Sequence, residues 1–177
     1  GAALREVAAL MEREPKAAAD AGVADLVMFL LQGARGNPLY DRKLNELVLV
    51  SFPKLSPALG GRIWAWTVQR ELAARGPAGV EVVLRDQPGH DEKAVEAGCA
   101  LLVEEYARLR AEAAKGTDAA ARLQAAMNYL YVGGRVPADE LSRLVDSAPA
   151  TWTTKGPTSR LAEWTRGYLR RHWQRAL

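Results

Sequence analysis

The residues best suited to chemistry gather towards the end of the sequence. Between Trp152 and Leu177 stand Lys155, Arg160, Arg166, Arg170, Arg171 and Arg175 with Glu163 as the sole acid, a local formal charge of +5 in a chain of net charge +3. The same stretch carries Trp152, Trp164, Tyr168 and Trp173, so three of the five tryptophans are interleaved with guanidinium groups. Guanidinium groups donate to phosphate oxygens while aromatic rings stack on bases, a combination that suits nucleic acid. It also suits an acidic protein partner or an anionic membrane surface. At about 100° per residue, Leu161, Trp164 and Tyr168 fall on one side of a helix and Leu169, Trp173 and Leu177 on another. Because the arginines are dispersed between these stripes, a helix docked by its aromatics, with guanidinium stems covering its flanks, fits as well. The candidate binding residues are Arg160, Trp164, Arg166, Arg170, Arg171, Trp173 and Arg175.

Nucleophile and metal chemistry is thinly represented. Cys99 is the single cysteine, set among Ala97, Ala100 and Leu102 on an apolar helical face, where a thiol reads as a small core residue. With two histidines, His90 and His172, no spacing reads as a zinc site. Glu104, Glu105 and Glu112 lack the repeated Glu-x-x-His pattern of a di-iron bundle and read as a solvated face. Gly60-Gly61-Arg62 and Gly133-Gly134-Arg135 lack the lysine and spacing of a phosphate-binding loop, and no Gly-x-Ser-x-Gly elbow occurs. No metal or cofactor is expected.

One short motif carries enzymatic content. Arg85-Asp86-Gln87-Pro88-Gly89-His90 resembles the arginine, polar residue, three spacers, histidine pattern of the all-helical HEPN ribonucleases, and Arg166 to His172 is a looser match. The resemblance implies metal-independent RNA cleavage, the histidine moving protons and the arginine steadying phosphate charge.

Positioning these residues falls to helices. Apolar side chains recur at helical spacing along most of the sequence, and caps, prolines and glycines mark the boundaries. Leu4, Val7, Ala8 and Met11 mark a first helix that Pro15 ends, kinks or restarts. The second runs to about Gln32 and is apolar on most of its circumference from Val23 to Leu31, as expected of a helix packed on several sides. Asn37-Pro38 opens a third, to about Phe52, and Ser56-Pro57 a fourth, closed by Gly76 before Pro77. Trp64 and Trp66 on that helix point about 160° apart; burial on both sides or one exposed anchor for a partner would each explain them. Val80 to Leu84 suits a strand or a short helix, the helix being favoured. Further helices are expected from about Asp91 to Lys115, after a Thr117 cap, from Pro137, and from about Thr158 to Ala176, with Ser147 to Pro157 a loop.

The sequence therefore predicts an all-α, single-domain irregular helical bundle or short helical stack of about seven to nine helices. Residues 1–150 would form the core, and residues 151–177 a loop plus the basic aromatic helix packed on it. At 177 residues, 49% hydrophobic and 25% charged, the chain has the ordinary balance of a soluble globular protein, with no apolar run near the roughly 20 residues a membrane span requires. The cytoplasm is the default compartment, while the Gly1-Ala2 opening fits a tag remnant, a trimmed fragment or a processed secreted chain equally well. The leading functional expectation is a non-enzymatic helical protein-protein interaction module, an adaptor or assembly subunit. The alternative is a small basic nucleic-acid-binding protein using its Arg/Trp-rich helix, and a more remote one is the HEPN-like ribonuclease.

Overall fold

The computed structural model describes residues 2–14, 16–17, 20–33, 56–85, 91–154, 156 and 158–176, apart from the side chains of Leu4, Ala8 and residues 173–176. Among the described residues the protein is all-α, with eight helices and no strand. They are α1 (Ala2–Arg13), α2 (Ala21–Gly33), α3 (Pro57–Arg85), α4 (Glu92–Ala114), α5 (Ala119–Tyr131), α6 (Ala138–Asp146), α7 (Ala150–Thr153) and α8 (Arg160–Ala176). The helix expected from Asn37-Pro38 to about Phe52 lies outside the described residues.

Short polar side chains start these helices by satisfying amide groups that lack a partner one turn back. Asp20 Oδ1 accepts from the amides of Gly22 and Val23 at 2.8 and 3.1 Å, and Ser56 Oγ from that of Leu59 at 3.3 Å. Asp91 Oδ1 accepts from Lys93 N at 3.1 Å, and Asp118 Oδ1 from the amides of Ala120 and Ala121 at 2.9 and 3.2 Å. The cap of α5 is thus Asp118, one residue beyond Thr117, and its carboxylate adds charge where the helix dipole favours it.

Within α3 the chain breaks helical geometry at Gly76, whose φ of 68° and ψ of −163° favour a residue without a Cβ. Pro77 then restarts the helix where its missing amide would have had no partner. Residues 80–84 continue it as helix, with Val80 buried on this second half. In the stretch expected as a loop from Ser147 to Pro157, the residues described through Thr154 include the single turn of α7. The Ser, Thr, Gly and Pro content of the stretch conceals the burial of Trp152, which pins the turn, while the hydroxyl of Thr154 donates to Ala150 O at 2.9 Å.

The chain groups into two compact units. The first comprises α1, α2, α3 through Thr67, Arg85 and the start of α4 through Gly98. Its core is Met11 from α1, Ala24, Val27, Met28 and Leu31 from α2, and Leu59, Ile63, Trp64 and Trp66 from α3. Here α3 and α4 touch through glycine: a Cβ on Gly98 would lie 2.7 Å from Gly61 O and 2.6 Å from Trp64 Cε3. The second unit comprises α3 from Val68 to Leu84, α4 from Cys99, and α5 to α8. Leu72, Val80, Leu102, Tyr106, Leu123, Ala126, Met127, Tyr131, Trp152 and Trp164 form its core. Each large apolar side chain removed from water contributes roughly 1.5–3 kcal/mol before chain entropy is charged against it.

Candidate interaction surface

Helix α8 shows what the basic aromatic segment is built to do locally. Positions 164, 167 and 171 repeat at three and four residues and therefore share a face. Trp164 is buried with its ring edge-on to Tyr131, centroids 5.7 Å apart and planes at 90°. Gly167 lets α8 approach Pro77, since a Cβ there would lie 2.4 Å from the proline Cβ. Arg171 follows two turns after Trp164 and points the same way; only 8% exposed, it holds its guanidinium 5.2 Å over the Tyr131 ring and donates from Nη2 to Cys99 Sγ at 3.2 Å. Burial raises the Tyr131 phenol above its ordinary range, and the nearby Arg171 charge offsets part of that rise.

The remaining candidate residues divide between flank and outer face. Arg160 is exposed and places its guanidinium 5.2 Å from the centre of the buried Trp152 ring. Arg170 forms an ion pair with Glu81 of α3, and Arg166 is exposed. Leu169, 59% exposed, lies beside Arg170 on the outside of the helix. Trp173 and Arg175 belong to α8, but their side chains lie outside the description, as does Lys155. The structure therefore brings Trp164 and Arg171 together inside the second unit, and sets Arg160, Arg166 and Arg170 around its surface. The seven-residue spacing of Trp164 and Arg171 was the available signal for an inward arginine. Charge alone made Arg171 read as a surface cation.

The other candidates are simpler. Cys99 is buried, as its apolar neighbours imply, although its arginine neighbour comes from another helix and left no local trace in the sequence. Glu105 pairs with Arg108, whose hydrogen bonds hold its carboxyl below the usual range, and Glu112 pairs with Lys115 at 2.9 Å. Among the described residues no three His, Cys, Asp or Glu side chains are placed to hold a metal ion, and no helix is long and apolar enough to cross a membrane. Residues 86–90 of the ribonuclease-like motif lie outside the description. In the looser match, His172 lies six helical steps beyond Arg166, turning the two about 120° apart. Arg166 faces solvent, whereas His172 is half-buried with its ring 4.1 Å from that of Tyr168. These two side chains do not converge.

Sequence reasoning missed two features. Glu71 is buried on α3 and accepts from Arg70 Nη2 at 3.1 Å and from Arg75 Nε at 2.7 Å, an ion cluster one turn before the Gly76 break. The second is the outer face of α2. Rather than packing on several sides, α2 buries the stripe of Ala24, Val27, Met28 and Leu31 and leaves Leu26 44% and Phe29 70% exposed. These two lie one turn apart on a shared face. Beside them Asp25 pairs with Arg62 at 2.8 Å. The near-continuous apolar run had signalled burial all round, but the same composition also produces a helix with a second, outward apolar face.

Comparison with known protein families, with curated proteins and with solved structures finds no match. The functional reading accordingly rests on these side chains alone.

Proposed function

We propose that this chain is a non-enzymatic helical interaction module that binds another protein through the outer face of α2. The observation that carries the reading is the exposure of Phe29 together with Leu26, one turn apart on a helix whose opposite stripe is already engaged in a core. Covering the exposed part of the ring and of the leucine is favourable at roughly 25 cal/mol per Å² of apolar surface removed from water, and central aromatic anchors dominate interface energetics. The basic segment supports this reading less well. Arg171 is buried, Arg170 is paired with Glu81 and Arg160 is stacked on Trp152, while all four tryptophans with described side chains are buried.

A photo-crosslinking residue placed at position 29, with exposed Ala111 as the control position, tests the proposal in the cell of origin. A discrete protein adduct formed from position 29 but not from 111, and binding of the purified adduct partner weakened at least tenfold by Phe29→Ser with the fold intact, is the expected result. Identical adduct patterns from both positions would overturn it.

The nucleic-acid alternative draws on the exposed cations Arg160, Arg166 and Arg170. It requires binding of labelled DNA or RNA that weakens steeply with salt and is lost when these three become alanine. Arg171 is left out of that variant because its replacement would test packing instead. Absence of binding at low salt would reject the alternative and leave the α2 proposal standing.

A further inference from the structure

We draw no further inference here: the strongest candidate, the buried cluster of Cys99, Arg171 and Tyr131 where α4, α5 and α8 meet in the second unit, is a lone thiol held by contacts within the cluster, and nothing in the structure shows a ligand or co-reactant that reaches it.

Discussion

A buried arginine is tolerated only where its donors and its flat face find partners. Arg171 has a thiol sulfur at one end and an aromatic face beneath it, so its role is to complete the packing of α8. Methionine at this position keeps much of the length of the stem and buries no charge, whereas reversing the sign places a carboxylate against the Tyr131 ring and the Cys99 sulfur. Arg171→Met is therefore expected to lower stability clearly less than Arg171→Glu, which should cost roughly 3 kcal/mol or more, in urea unfolding. Equal losses in the two variants would contradict the packing role. Tyr106 supplies a separate test. Burial first, and the charge of Glu105 second, push its phenol up to about 12. An unfolded tyrosine ionises near 10, so the unfolded chain gives up this proton first. The contribution is complete below pH 10 and is lost as pH rises from 10 to 12. The melting temperature should fall across that window, and should fall less steeply in Tyr106→Phe; Tyr131, raised in the same direction, adds to the remaining slope.

Helices here are joined by close backbone approach as much as by large side chains. Both Gly61 and Gly98 lie where an added Cβ meets atoms nearer than 3.0 Å, and for Gly98 one of these is the Gly61 carbonyl oxygen. Backbone cannot rotate aside as a side chain can, so Gly98→Ala must part α3 from α4 within the first unit, at an expected cost of about 1–3 kcal/mol despite the better helix propensity of alanine. Gly116→Ala meets Ala113 O at an ordinary 3.5 Å and should stay within about 0.5 kcal/mol of the parent by thermal denaturation. Comparable losses would remove the close-approach explanation. Element boundaries were the most legible part of the sequence, because Ser56-Pro57, Gly76-Pro77 and Pro137 impose backbone constraints that hold whatever packs around them. The turn of α7 was not legible, since it depends on where Trp152 is buried, and burial is decided by residues distant in the chain. The same distance hid the partners of Arg171: its spacing from Trp164 could mark it as inward, but nothing near it in sequence announces Tyr131 or Cys99.

For the whole molecule, all-α content followed from helical periodicity, while the sorting of surface from core did not. The apolar circumference of α2 and the charge of α8 each pointed the wrong way in part: Phe29 is outside and Arg171 inside. Periodicity says that a helix has an apolar face. It cannot say how many faces find a partner within the same chain.

Both long helices change allegiance part-way, α3 between Thr67 and Val68 and α4 between Gly98 and Cys99. Neither unit is therefore one continuous stretch of gene. During synthesis from the N-terminus the first unit must wait for Gly98, by which time Pro77 and Glu81 have already emerged without Gly167 and Arg170, the residues they will meet. A nascent chain halted at residue 159 should accordingly show its second unit open to protease around Pro77, and one extended to residue 177 should show it protected; equal cleavage in both would contradict the requirement for α8. A single recombination point after Gly98 leaves the first unit whole and divides the second, and one before Val68 does the reverse, so one break can pass on either unit intact but never both on its two sides.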